Sequence, residues 1–374
     1  MNRKLKICHF TSVHPSNDTR VFKKQCTYLA NQGHDVDLVV FNQESKIENN
    51  VNIISLDVNY KSIFTRFLKA QFTFFKYFRT KEYDIIQFHD PELLPIGLVL
   101  KKFYKRNVIF DIHENFLGQI KSRNYGIKTP LIHLIAKLLN KSATKNLNLL
   151  LAEDSYAKEY KGMDANYEII HNFPDHTLLS SYATTERSTK RDIFYVGLIS
   201  RDRNIINILK SLITLKETVK DFHFHCIGPI IDGLEDEFSE IKDYEKIRDS
   251  ITFYGRIDLE KAYEISMKCR FGLAILKPTP NYLESYPTKI FEYYCVGLPV
   301  VSSNFKIYEE IVGKYNGGIM VNPLNPQEIA DSYIAFYNNN EINEVSKNLI
   351  NNVSKQFNWE HEAKKLESFY YSLI

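Results

Sequence analysis

Residues 284–303 read ESYPTKIFEYYCVGLPVVSS. Pro287 suits the first turn of a helix, where its missing N–H costs nothing, and Gly297 suits the position just past a helix end. A short helix over Pro287–Val296 is expected, followed at once by a β-branched strand, Val300–Ser303, and preceded by an apolar one, Phe271–Ile275. A strand, a helical crossover and a second buried strand make the repeating unit of a parallel sheet.

The same alternation runs outward in both directions. Towards the amino terminus come strands Asp192–Val196, Phe222–Ile227 and Ile251–Tyr254, with helices Asn204–Thr218 and Leu259–Lys268 between them; towards the carboxyl terminus comes strand Gly318–Val321 and helix Pro326–Tyr337. The first half repeats the pattern: strands Lys6–Thr11, Asp35–Phe41, Val51–Leu56, Asp84–Phe88, Asn107–Ile112, Asn148–Ala152 and Tyr167–Ile170, with helices Thr19–Asn31, Ser62–Arg79, Pro91–Phe103 and Pro130–Lys141. Strands rich in Val, Ile and Phe on both faces, separated by helices, imply doubly wound α/β sheets covered on each side. The polar stretch His176–Arg191 is the expected linker. Residues 1–180 and 181–355 thus form two facing Rossmann-like domains with a cleft between them, and 356–374 a carboxyl-terminal helix that packs back on the first.

Composition agrees. The 374 residues are 44% apolar and 25% charged, enough for about two domains at roughly 100–200 residues each. No apolar run reaches the ~18 residues of a membrane span, and no signal peptide follows Arg3-Lys4-Leu5-Lys6, so a cytoplasmic protein is expected. Five scattered cysteines, Cys8, Cys26, Cys226, Cys269 and Cys295, read as reduced core thiols. Lys and Arg outnumber Asp and Glu by 25 to 18 in residues 1–185 and are outnumbered 23 to 27 in the remainder, so the first half is basic.

In doubly wound sheets ligands gather at the carboxyl ends of the strands. The residues falling there are His14 to Arg20, His89-Asp90, His113-Glu114, Gly197 to Arg203, Gly228, Gly255-Arg256 and the run Lys277 to Glu292. The start of the Pro287–Val296 helix offers free N–H groups and a positive dipole end, with Lys289 beside them. That combination is a phosphate site. Glu292, about one turn further on, is placed to accept hydrogen bonds from vicinal ribose hydroxyls, and Glu284 precedes the helix on the far side of a diphosphate. Pairing of Glu292 with Lys289 on a solvated face is the competing reading of the same spacing.

The spacing Glu284-x7-Glu292, the Pro287-x-Lys289-x-x-Glu292 core and Gly297-x-Pro299-Val300-Val301 resemble the donor-site signature of retaining glycosyltransferases of family 4, which have the GT-B fold. The resemblance extends over nearly the whole chain, through Gly33-His34-Asp35-Val36, His89, His113, Ile170-His171-Asn172-Phe173-Pro174, Val196-Gly197, Phe253-Tyr254-Gly255 and the helix containing Trp359. It implies that Glu292 binds the ribose, Glu284 and His113 contact the transferred sugar, and backbone amides at Thr288 hold phosphate. Two cations normally come from the loop after the first strand of the second domain; here Leu198 stands at the first position, Arg203 matches the second, and Arg201 is placed to substitute for the missing charge. Gly197, Gly228 and Arg256 complete the implied donor site, and Asp18, Arg20 and His89 the implied acceptor site, with Arg20 the foremost phosphate contact. No Asp-x-Asp metal signature is convincing, since Asp35-Val36-Asp37 falls at a strand start, and the family implies a metal-independent front-face transfer that needs no cofactor.

The implied reaction carries a sugar from a nucleotide diphosphate sugar, most commonly a UDP-sugar, to a glycan or polyprenyl-diphosphate-linked acceptor of a capsule, exopolysaccharide or lipopolysaccharide. Segment Tyr60–Arg79 sets Phe64, Phe67, Leu68, Phe72, Phe75 and Phe78 along one side and Arg66, Lys69 and Lys76 along the other; it reads either as a peripheral contact with anionic lipid or as a packed helix with a basic back. Rival functions are weaker. The 14 glycines contain no Gly-x-Gly, which disfavours a nicotinamide enzyme. A sugar-nucleotide epimerase or phosphorylase would use the same anion site. A non-catalytic binder of anionic ligands would not need Glu284, Lys289 and Glu292 together, and no nucleic-acid module is recognisable.

Overall fold

Lys6–Phe10 (β1) sits at the centre of an eight-stranded sheet. Its neighbours are Asp35–Phe41 (β2) and, on the other side, Ile85–Phe88 (β5); outside them lie Lys46–Glu48 (β3), Val51–Leu56 (β4), Val108–Ile112 (β6), Asn148–Leu151 (β7) and Asn166–Ile169 (β8). The order is β3-β4-β2-β1-β5-β6-β7-β8. Every pairing is parallel except that of β3 with β4. The chain builds outward from β1 through β2 to β4 and then returns to begin again at β5, so the order reverses between β1 and β5 and leaves a crevice at their carboxyl ends. These coordinates are a computed structural model that describes residues 3–113, 129–160, 165–188, 190–231 and 233–374. The residues group into two units, Met1–Asn172 with Trp359–Ile374 and Phe173–Asn358.

Both faces of the first sheet are buried. On one, Phe10 packs against Phe74 and Phe78 with ring centroids 4.7 and 4.9 Å apart, each buried ring being worth about 1.5–3 kcal/mol. On the other, helix Trp359–Ser372 lays Trp359, Leu366 and Tyr370 into a cluster with Ile7, Val21 and Leu38. Strand β3 lies outside the sequence expectation: Asn49 and Asn50 both take positive φ, 50° and 62°, forming the kind of two-residue turn that closes a hairpin. The expected helix Thr19–Asn31 is also modified. Thr19–Cys26 is π-helical and only Thr27–Asn31 is α-helical, because the Asp18 carbonyl accepts from both Phe22 N (3.1 Å) and Lys23 N (3.0 Å) and the wider turn propagates.

Helix Ile63–Phe78 is capped by a reciprocal Ser62–Thr65 box. The expected single apolar side is divided here. Ala70, Phe74 and Phe78 face the core, whereas Phe64 and Phe72 are 69% and 71% exposed, with Ile63 and Leu68 also outward. Among the described residues no helix is long and apolar enough to cross a membrane.

The second unit holds six parallel strands: Asp192–Val196 (β9), His223–Ile227 (β10), Ile251–Phe253 (β11), Phe271–Ala274 (β12), Val300–Ser303 (β13) and Gly318–Val321 (β14). Their order, β11-β10-β9-β12-β13-β14, reverses between β9 and β12. The helix read from the opening segment spans Thr288–Cys295, with Pro287 at its N-cap and Gly297 at φ 69° beyond its end.

Candidate functional site

In the second unit the carboxyl ends of β9, β10 and β11 are closed by glycines. Gly197 and Gly228 have φ of 135° and 138°, and Gly228 N donates to Gly255 O at 2.9 Å while Gly197 N donates to Ile227 O at 2.9 Å. A Cβ at position 228 would overlap the Gly197 carbonyl, so the two loops can pass only because position 228 lacks a side chain. A Cβ at 197 would lie 3.3 Å from Lys289 Nζ. The lysine ammonium therefore sits directly under the first loop.

Lys289 is 8% exposed, its Nζ lies 3.9 Å over the Tyr195 ring, and among the described residues Nζ has no hydrogen-bond partner. Burial, then the charge of Arg203, pull its pKa down to about 7 against the weaker opposing pull of Glu292. An ammonium in this state is chemically able to take up an anion. Arg203 stands near it with its guanidinium 4.9 Å from the Tyr282 ring centroid and no ion pair among the described residues. Glu292 does not bond to Lys289; its Oε2 accepts from Tyr263 Oη at 2.8 Å, so the competing surface-pair reading fails on geometry. Its other oxygen takes no hydrogen bond among the described residues. Thr288, Glu284 and Arg256 are exposed. Arg201 does not join Arg203: its guanidinium pairs with Glu237, Nε donating to Oε2 at 3.0 Å.

The first unit carries its own constellation at the β1/β5 switch. Asp111, in the fully buried strand β6, is the hub. It receives Arg20 through Nε (3.2 Å) and Nη2 (2.8 Å), Gln25 Nε2 (2.7 Å) and His113 Nε2 (2.9 Å). Burial would raise its pKa, but Arg20, His113 and His89 hold it well below the carboxylate range. Arg20 is 5% exposed and its remaining Nη1 donates to Ile170 O at 2.9 Å. The fork of Arg20, expected to contact the acceptor, here holds β6 and the start of the Thr19–Cys26 segment together. His89 is 2% exposed, with Nδ1 3.2 Å from His113 Nε2 and Nε2 3.1 Å from His9 Nδ1; burial drags its pKa to about 4 despite Asp111. Asp18 caps its helix, accepting from Arg20 N and Val21 N at 2.9 and 2.8 Å. His14 bridges Asp18 and Asp90, 3.4 Å from each, and the two carboxylates outweigh burial to raise its pKa. Glu114 lies outside the described residues.

Among the described residues, one His/Asp group has ligand atoms close enough to grip a cation: His89, Asp111 and His113. In this structure those atoms bond to one another instead, and Asp111 Oδ2 is already occupied by Gln25 and Arg20. Of the residues that build these sites, Asp111, Tyr195 and Tyr263 were not expected. The signal for Asp111 is present in the sequence, because a carboxylate inside Val108-Ile109-Phe110-Asp111-Ile112 cannot be buried without partners.

Two family models match the chain: glycosyl transferases group 1 over residues 181–356 and glycosyltransferase family 4 over residues 19–177. No curated protein matches it by sequence. Among solved structures it is similar to a sucrose-phosphate synthase from Thermosynechococcus elongatus, at 17% identity and a TM-score of 0.75, covering 99% of each chain. A glycosyltransferase from Rickettsia africae aligns at 13% identity and a TM-score of 0.75, over 100% of this chain and 99% of that one. The HepE protein of Anabaena, solved with UDP and glucose, aligns at 12% identity and a TM-score of 0.72, over 98% and 100%. At such identities these likenesses speak to the fold, two Rossmann-like sheets in the GT-B arrangement.

Proposed function

The chain belongs to the group 1 and family 4 glycosyltransferases, whose models account for residues 181–356 and 19–177, and from this premise we propose that it transfers a sugar from a UDP-sugar, with retention and without a metal, to a hydroxyl of a glycan or lipid-linked acceptor in cell-surface polysaccharide synthesis. The observation that carries the reading is Lys289, a buried cation with no hydrogen-bond partner among the described residues, at the switch point of the second sheet. A diphosphate placed there would gain two positive charges, from Lys289 and Arg203, and the N–H groups at the start of helix Thr288–Cys295. As the glycosidic bond breaks, negative charge grows on the departing phosphate, and a fixed ammonium in a low-dielectric pocket stabilises that charge more than the ground state. Glu292, steadied by Tyr263, offers its other oxygen to ribose hydroxyls. The departing phosphate oxygen takes the acceptor proton on the same face, which leaves the anomeric configuration unchanged. HepE, solved with UDP and glucose, supports the choice of uridine.

The outward stripe Ile63, Phe64, Leu68 and Phe72, with Lys61 and Lys69 exposed beside it, supports peripheral docking on anionic lipid. Product analysis tests the chemistry. Turnover of an α-linked UDP-sugar in the presence of EDTA should give an α-linked product; an inverted product, or complete loss of turnover with EDTA, contradicts retention or metal independence respectively.

A further inference from the structure

The cations of the second unit's site are held in an unusual way. The segment after β9 offers few of them: position 198 is a leucine, and Arg201 is tied to Glu237. What remains is Arg203 and, from the helix Thr288–Cys295, Lys289. Among the described residues neither is paired with a carboxylate. Each lies instead against a ring, Lys289 Nζ 3.9 Å from the Tyr195 centroid and the Arg203 guanidinium carbon 4.9 Å from that of Tyr282. A carboxylate would neutralise the cation and compete with an incoming anion. An aromatic face attracts the cation through its quadrupole and leaves the whole charge to a ligand.

Tyr195 is fixed so that its ring can do this. It is 1% exposed, and its Oη donates to Leu198 O at 2.7 Å. One side chain thus meets the lysine with its face and ties down the Gly197–Leu198 segment with its hydroxyl. The stem of a lysine is flexible, and among the described residues no hydrogen bond fixes Lys289 Nζ. Its place is defined by the ring on one side and by Gly197 on another, where a Cβ would come within 3.3 Å of Nζ. The charged and titratable groups facing the ammonium are Arg203, which disfavours its charge, Glu292, which favours it, and Cys226, whose thiol burial keeps neutral.

We propose that Tyr195 is a positioning residue of the donor site: its ring face seats the Lys289 ammonium for the diphosphate without neutralising it, and its hydroxyl anchors the Gly197–Leu198 segment beside that lysine. The inference rests on the glycosyltransferase reading for the identity of the anion, while the seat itself stands on the geometry of Tyr195, Lys289 and Leu198. Tyr195 acts through the lysine and the loop, not on the ligand. Its two parts are separable: removing the hydroxyl frees the loop and keeps the face, whereas reversing the charge of the face leaves the shape of the ring and withdraws its hold on the ammonium.

The test is carbon NMR of the full-length protein with lysine labelled at Cε, combined with calorimetric titration of UDP-glucose. The Lys289 signal is the one that Lys289→Met removes, and in the wild type it should titrate near pH 7. Tyr195→Phe should leave that midpoint within about 0.3 of the wild type and weaken UDP-glucose about 2- to 5-fold at every pH, through the freed loop. Tyr195→pentafluorophenylalanine has the shape of Tyr195→Phe with the ring charge reversed, so the two variants pack alike; Lys289 should then titrate about 1 unit lower, the equivalent of about 1.4 kcal/mol. UDP-glucose is the probe because it lacks the terminal phosphate of UDP, which itself titrates near about 6. Above both midpoints the fluorinated variant should bind it about 10-fold more weakly than Tyr195→Phe does, and below them the two should converge, since the lysine is then protonated in both. A lysine midpoint that the fluorinated ring does not move, or a difference in affinity that is the same at every pH, overturns the proposal. Lysine midpoints as expected with no binding of UDP-glucose to the wild type would undo the proposed function and leave Tyr195 as the seat of Lys289 alone.

Discussion

Replacing Lys289 by methionine removes a charge while keeping an unbranched side chain of similar length. In the folded protein the ammonium loses its proton near pH 7, whereas in the unfolded chain it does so near 10.5. At about 1.4 kcal/mol per pH unit that gap corresponds to about 5 kcal/mol. Between the two values the unfolded chain holds the proton and the folded chain does not, so stability rises with pH across that window and the full cost is present below it. Relaxation and water entry reduce such costs, and replacing buried ionic groups by apolar ones stabilises by about 1–4 kcal/mol. Lys289→Met should therefore melt higher than wild type at pH 6, by about 2–4 °C for each kcal/mol in a unit of this size, and the advantage should shrink as pH approaches 10. Its affinity for UDP should fall about 10- to 100-fold, the value of one hydrogen bond to a charged group. Paired thermal melts across pH, with and without UDP, measure both effects. A variant that is less stable at pH 6, or one that is more stable yet still binds UDP as wild type does, would refute the reasoning.

Asp111→Asn strips the buried Arg20 of its counter-charge and should cost about 3–5 kcal/mol in urea unfolding; Arg20→Met with Asp111→Leu together should recover much of that loss. Gly228→Ala forces a side chain onto the Gly197 carbonyl at a φ of 138°, and should lower stability by about 1–3 kcal/mol and weaken UDP binding more than an alanine at the open Gly233 does. The double change Phe64→Ser with Phe72→Ser alters only exposed surface; stability should stay within about 0.5 kcal/mol while flotation with anionic phosphatidylglycerol vesicles drops, and undiminished flotation would remove the helix from the membrane account.

Where the sequence was legible, the reason is burial on both faces. Runs such as Asp35–Phe41 and Val300–Ser303 are rich in Val and buried along most of their length, and turn residues bound them, so their limits in the structure coincide with those read from the sequence. Strand β3 was not legible, because Lys46-Ile47-Glu48 has no apolar run and its only signal is the Asn49-Asn50 turn. Helix Ile63–Phe78 was legible as a helix but not in its facing: aromatic residues are spread round it, and only packing against the sheet decides which of them turn inward. The helix Thr288–Cys295 that carries Lys289 could be read from Pro287, Gly297 and their spacing. Tyr195 beneath the lysine and Tyr263 beside Glu292 could not, since both come from distant elements whose approach is a tertiary fact. Arg20 illustrates the limit most clearly. A loop arginine beside Asp18 suggests a ligand contact, and nothing local reveals that Asp111, 91 positions away, claims it.

The central claim is that the second unit binds a uridine diphosphate through Lys289, Arg203 and Glu292, and calorimetric titration of UDP, GDP and ADP into the metal-free wild type and Glu292→Ala tests it most directly. The account expects UDP to bind the wild type more tightly than the other two nucleotides, and Glu292→Ala to lose about 10-fold or more through the missing ribose hydrogen bonds while melting at nearly the same temperature. Equal UDP affinity in the two proteins, or no binding of any nucleotide to the wild type, would contradict it.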